Sequence, residues 1–306
     1  MTNEDSIQFI NANSTFPVVI PVWEAYLIDQ KKSIYTIKAF KGDIQLLASY
    51  FSPDKTIGSV STSDIINFLD WMNNDRPVPC SPKTYSRRIT SIKSFFKWLK
   101  TFGIIEEDPA ASIDQKPVSS PLPEILTRDE VDRVLSAADA YRREKKPDAR
   151  NMLLVQLLLS TGIKKSETLG ISKNHIDREN PENPRLYVRY AGSGNRAKER
   201  TIDLPASWLP VFDEYLEQYR PTDKLFPWSP RRLEYLLEDI GTDAKLTKHL
   251  SFAMCRWTCF VKDYADGVPV ETIRSKMGVS QVQWRDIFAK LKILADIYNK
   301  SAETAN

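Results

Sequence analysis

Residues 250–291 read LSFAMCRWTCFVKDYADGVPVETIRSKMGVSQVQWRDIFAKL. Arg256 stands in a largely apolar helical run that contains Met254, Cys255, Trp257, Cys259, Phe260 and Val261. After Met277-Gly278-Val279-Ser280 the pattern resumes. Ile287, Leu291, Leu294 and Ile297 or Tyr298 recur at i, i+4 and i+7, with Lys290, Lys292 and Asp296 elsewhere, which predicts an amphipathic helix over 281–300. A charged guanidinium inside an apolar run needs a partner, for which Glu167 or Asp263 is a candidate.

This stretch resembles the C-terminal box of the tyrosine recombinases, the phage-integrase family. There the pattern runs Ser-Pro-His-x-Leu-Arg-His, an apolar helix, Leu-Gly-His-x-Ser and, nine residues after that His, a nucleophilic Tyr. The family Arg is retained as Arg256. The two His positions read Ala253 and Val279, the His after the Arg reads Trp257, and the Tyr position reads Phe288. Phe288 has no hydroxyl with which to form a phosphoester. Ala253 and Val279 carry no side-chain donor or acceptor for the proton transfers of such a reaction.

The upstream residues 151–171, NMLLVQLLLSTGIKKSETLGI, predict a buried helix, a turn at Thr161-Gly162 and a second helix. Where the family reads Thr-Gly-Leu-Arg-x-Ser-Glu, its Arg falls on Lys164 and its acidic residue is kept as Glu167. Lysine keeps the charge but not the planar fork that grips two phosphate oxygens. Leu186–Tyr190 and Arg200–Leu204 read as two strands around a Gly-rich turn. The family lysine of that turn falls on Ser193, and Arg196 or Lys198 stands close enough in sequence to substitute for it.

Beyond this box, 306 residues with 42% apolar content allow two domains with cores of their own. The first residues show no basic segment followed by an apolar one, and no run of about 18 apolar residues occurs, so a cytoplasmic protein without a membrane partner is expected. Cys80, Cys255 and Cys259 read as reduced thiols. Together with His175 and His249 they lack the spacing of a metal site, and neither a metal nor an organic cofactor is expected. A net charge of +3 leaves room for a local basic surface.

That surface is predicted between Ser81 and Gly103, SPKTYSRRITSIKSFFKWLKTFG. Ser81 caps, Pro82 starts and Gly103 stops a long helix. Ile89, Ile92, Phe96 and Leu99 face a core, while Lys83, Arg87, Arg88, Lys93, Lys97 and Lys100 cover the rest. Either a phosphate-facing helix or a solvated lysine-rich one fits that pattern. Helices are also expected over Val22–Lys31, Ile34–Tyr50 and Thr62–Asn73, the last capped by Ser61 or Thr62, with Trp23, Phe40, Leu47, Phe68 and Trp71 in the core. Pro117, Pro121 and Pro123 read as an extended linker, and Thr127-Arg128-Asp129-Glu130 as a capping box.

The expected architecture is mainly α with a small β-hairpin or sheet. Residues 1–115 form a helical, SAM-like core-binding domain, 116–126 a Pro-rich linker, and 127–306 a tyrosine-recombinase-like catalytic-fold domain with its terminal amphipathic helix. The resemblance implies a clamp around duplex DNA, contacted by Lys83, Arg87, Arg88, Lys93, Lys97, Lys164, Arg196, Lys198 and Arg256. It also implies self-association through the terminal helix, unless that helix folds back on its own domain, or a partnership with an active recombinase or another DNA-processing protein. The losses at 193, 253, 279 and 288 point to a catalytically inactive DNA-binding protein. Two alternatives stand beside it: a divergent recombinase with a displaced nucleophile such as Tyr298, and a protein-interaction scaffold that has left DNA behind.

Overall fold

The computed structural model describes residues 7–78, 80–115, 121–190 and 192–303, the side chains of 193, 194 and 301–303 excepted. The chain divides into two compact units, residues 1–120 and 121–306.

The described part of the first unit is helical: α1 (Phe16–Asp29), α2 (Ile34–Tyr50), α3 (Thr62–Asn74) and α4 (Pro82–Thr101). Local chemistry sets most of the ends. The Ser61 hydroxyl accepts from the Asp64 N–H while Asp64 accepts from the Ser61 N–H, a reciprocal cap on α3. Ser81 caps α4 through the Thr84 N–H, with Pro82 in the first turn, and Gly103 takes a left-handed φ of 68° just beyond its end.

Helix α1 begins six residues before the expected Val22 and keeps Pro21 inside it. Pro21 removes one helical hydrogen bond near the N-terminus. Burial of Phe16, Val19, Ile20 and Trp23 against the unit's core outweighs that loss. Trp23 stacks on Phe40 and meets Phe95 edge-on, so α1, α2 and α4 share one aromatic centre.

The second unit runs α5 (Arg128–Ala140), α6 (Arg150–Thr161), α7 (Lys165–Gly170), strands β1 (Ile176–Asp177), β2 (Arg185–Val188) and β3 (Arg200–Asp203), then α8 (Trp208–Tyr219), α9 (Pro230–Asp243), α10 (Phe252–Ala265), α11 (Val270–Met277) and α12 (Gln281–Glu303). The sheet is antiparallel in the order β1-β2-β3, with Leu186 opposite Ile176 on one side and Ile202 on the other. The connection from β2 to β3 coils into a 3₁₀ segment at Ser193–Lys198 instead of a tight turn.

The C-terminal end of the Pro-rich segment belongs to the second unit. Residues 116–120 lie outside the described residues. Ile125 and Leu126, however, are buried in the second unit, and the Leu126 N–H donates to the Thr258 hydroxyl at 2.9 Å. Two adjacent apolar side chains draw this end onto the fold, and Thr127 then opens α5 with the expected capping box to Glu130. At the other end of the chain, α12 folds back on its own unit. Leu291, Leu294, Ala295 and Tyr298 pack with Phe260, Val261, Ile273 and Met277. Val282, Ile293 and Ile297 stay exposed on the opposite side of the same helix.

Candidate phosphate-binding site

The site is built around one bend of the backbone. Helix α6 ends at Gly162, which takes a left-handed φ of 59°, and a Cβ added there would lie 2.6 Å from the Phe260 ring. Only glycine fits both the angle and the space. The bend releases the Gly162 carbonyl toward α10, where it accepts from Arg256 Nη1, while Nη2 donates to the Met277 carbonyl at 2.7 Å. The guanidinium also lies over the Phe260 ring, 5.0 Å from its centroid. Neither Glu167 nor Asp263 is its ion-pair partner among the described contacts. Asp263 holds Lys276 at 2.7 Å instead. Burial pushes Arg256 down to about 10, which leaves it cationic at neutral pH.

Glu167 belongs to Arg200. The two guanidinium termini of Arg200 reach the two carboxylate oxygens at 3.0 Å each, and Nε donates to the Lys276 carbonyl at 2.6 Å. The Tyr190 hydroxyl and the Lys164 N–H also donate to Glu167. Burial alone would raise this carboxyl, but Arg200 foremost, then the Lys164 amide and Tyr190, hold it at about 2.

This leaves the Lys164 ammonium weakly engaged. Its Nζ is 4.0 Å from a carboxylate oxygen that other donors already occupy, and 37% of its side chain faces solvent. Burial lowers its pKa; Glu167 opposes, and the charges of Arg256, Arg200 and Lys198 add to the lowering. Lys164, Ala253 and Arg256 line one cleft of about 650 Å³ with Lys165, Arg231, Glu234, Tyr235, Glu238 and His249. Its floor is the start of α10, capped by Ser251, so helix-end N–H groups add to the side-chain cations.

The other positions singled out in the sequence are placed differently. Phe288 is not among the residues lining the cleft. Its ring stacks on Trp284 at 5.5 Å, meets Tyr264 edge-on at 5.9 Å and sits under the Lys292 ammonium at 4.5 Å. Val279 packs in the same cluster as Phe288, and Trp257 joins them there. The Ser193 side chain lies outside the described residues. Lys198 Nζ donates to Asn195 at 2.9 Å, and Arg196 is exposed on the same 3₁₀ segment. Tyr298 is 3% exposed within the α10–α12 core, with Arg128 over its ring, so its phenol has no open approach for a phosphodiester.

On α4, Lys83 and Lys97 are exposed, and Lys93 is half-buried with its ammonium on the Ala111 carbonyl. Arg87 and Arg88 depart from the outward-facing expectation. Both pair with Asp43 of α2, and Arg88 is turned inward with a side chain 12% exposed. The Ser91 hydroxyl donates to the same carboxylate at 2.7 Å. Burial raises Asp43 against the pull of Ser91 and the two arginines. Asp43 is 44 residues from Arg87, so nothing within the α4 sequence marked this pairing. Arg200 and His249 were likewise passed over. Arg200 stands two positions before buried Ile202 on β3, so the two-residue period of a strand puts both on the inward face, and that is the signal that could have marked it.

A helical first unit, and a second unit that holds a short antiparallel sheet and a basic cleft framed by α7, α9 and α10, together define a phage-integrase architecture. Residues 20–103 match the N-terminal SAM-like domain of phage integrase, and residues 124–292 match the phage integrase family itself. The chain belongs to that family, the tyrosine recombinases. It is 26% identical over 198 residues to the tyrosine recombinase XerD of Listeria innocua, covering 64% of this chain and 62% of the relative. Identity to the tyrosine recombinase XerC of Rickettsia canadensis is 29% over 206 residues, covering 66% and 64%. The chain thus matches somewhat under two thirds of the length of these relatives. Among solved structures, XerH bound to palindromic difH in a post-cleavage complex superposes with a TM-score of 0.73 at 18% identity, covering 95% of this chain and 84% of that one. A lambda integrase dimer bound to a COC' core site gives 0.66 at 15% identity, covering 87% and 75%. These likenesses establish the shared fold. Among the described residues, no helix is long and apolar enough to cross a membrane.

Proposed function

We propose that this protein binds duplex DNA through lysine and arginine contacts to phosphates without cutting it, and serves an architectural, regulatory or accessory role in DNA recombination or maintenance. One observation carries the reading. Lys164 and Arg256 share an open cleft with donors to spare, while Ala253 in that cleft and Val279 and Phe288 outside it lack the groups for phosphoryl transfer. Charge is kept where phosphate would be held, and chemistry is missing where it would be broken.

In the first unit, Lys83, Lys93 and Lys97 are the better candidates for phosphate contact, with Arg87 at their edge. Arg88 serves the core. In the second unit, Arg196 and Lys198 extend the basic surface beside Lys164. The DNA-bound state of the XerH and lambda integrase structures supports duplex DNA as the partner. The exposed Val282, Ile293 and Ile297 of α12 offer a face for self-association or for an active recombinase. A cytoplasmic location agrees with this role.

The test is salt-titrated binding to mixed duplex DNA, with the same samples run on denaturing gels. Binding that weakens steeply with salt, without covalent adducts, is expected. Adducts would overturn the inactive reading, and absence of binding would favour a protein scaffold.

A further inference from the structure

His249 is one of only two histidines in the chain, and it lines the cleft that holds Lys164, Ala253 and Arg256. Its ring is exposed, and among the described residues no hydrogen bond or ion pair holds it. It sits two residues before the Ser251 cap of α10 and lines the same cleft as Ala253.

Charged and titratable groups face it from three helices. Lys164 and Lys165 come from the start of α7, with Lys165 paired to Glu234 at 2.6 Å. Arg231, Glu234, Tyr235 and Glu238 come from α9, where Arg231 Nε donates to the Tyr235 hydroxyl at 2.7 Å. Arg256 comes from α10. The neighbouring Lys248 is engaged elsewhere, on Glu130 at 2.7 Å.

We propose that His249 is a titratable phosphate-binding group of this cleft, supplying the imidazole donor that position 253 no longer provides, so that DNA binding takes up a proton. The inference rests on the phosphate reading above and adds a regulator to it. A neutral imidazole offers one N–H; the protonated ring offers two, together with a positive charge. An arriving phosphodiester brings a negative charge beside the ring, so the protonated form is favoured in the bound state. Glu234 and Glu238 line the same cleft, and Glu234 is already paired with Lys165.

The other histidine does not compete for this role. His175 Nδ1 accepts from the Ser172 N–H at 3.4 Å, burial, then Arg189 and Lys224, lower its pKa, and it is not among the residues lining the cleft. The Cys255 and Cys259 thiols are pushed up to about 12 by burial.

The experiment is binding of the full chain to mixed-sequence duplex DNA at constant ionic strength from pH 5.5 to 8, for the wild type, His249→Ala, His249→Gln and His175→Gln. Wild type and His175→Gln are expected to bind about tenfold tighter at pH 5.5 than at pH 8. Both His249 variants should lose most of that gain. Variants that keep the full pH dependence overturn the role of His249 and leave the phosphate reading standing. Wild type that binds no DNA at any pH overturns both.

Discussion

Arg200 holds Glu167 across 33 residues of sequence by a two-pronged contact, 3.0 Å to each carboxylate oxygen, and both side chains are almost wholly buried. The pair joins β3 to the helix behind Lys164, and Arg200 Nε ties both to the last turn of α11. Removing one partner leaves an uncompensated buried charge. Arg200→Met is expected to cost about 3–5 kcal/mol in urea unfolding, and Arg200→Met with Glu167→Gln considerably less. Equal costs for the single and double variants would show that the pair is not the unit holding these elements.

The same carboxylate sets an acid limit. Its folded pKa of about 2 lies below the ordinary 4.5, so its contribution is fully present above about pH 4.5 and is lost as pH falls toward 2. The wild type should lose stability through that window more steeply than Arg200→Met with Glu167→Gln, as read from denaturant midpoints at pH 5, 4 and 3.

Two basic residues nine apart on α4 should behave in opposite ways. Arg88→Ala strips a partner from buried Asp43 and should destabilise by about 2–4 kcal/mol, a loss of fold. Lys97→Ala should leave stability within about 0.5 kcal/mol and lower the slope of log K against log salt by about 0.9, one phosphate contact. An unchanged slope would remove Lys97 from the proposed interface.

Restoring a phenol should not restore cleavage. In Phe288→Tyr the new hydroxyl would sit on a ring held by Trp284 and Tyr264, and Ala253 and Val279 would still supply no donor. No covalent adduct is expected on a nicked duplex after denaturing electrophoresis. An adduct would mean that the ring reaches the Lys164–Arg256 cleft.

Gly162→Ala should be costly, about 2 kcal/mol or more, because it meets both a left-handed backbone angle and the Phe260 ring. Gly267→Ala isolates the first effect, with a φ of 80° and nothing within 4 Å of the added carbon, and should cost about 1–2 kcal/mol. Thermal unfolding of both variants separates angle from collision.

What the sequence revealed and what it concealed divide by range. Ser81-Pro82 with Gly103, and Thr127 with Glu130, are signals contained within one helix, and each appears where it was read. The α7 turn and the hairpin strands were legible for the same reason. Partners far apart in the chain were not. Asp43 turns Arg88 from a surface charge into a core one, and Arg200 claims the carboxylate that seemed available to Arg256. Leu126 gives no local sign of the fold that receives it. The cleft was half legible: Lys164, Ala253 and Arg256 were found, but His249, in a segment whose path depends on packing, was not.

Arg256 is aimed by hydrogen bonds to two backbone carbonyls, those of Gly162 and Met277, above the Phe260 ring, and to none of the three lost catalytic positions. Its orientation is therefore insulated from the residues that would share a reaction with it. A lineage can let positions 253, 279 and 288 drift and still inherit a correctly pointed cation, so in this architecture the capacity to hold a phosphate and the capacity to break one are separately heritable.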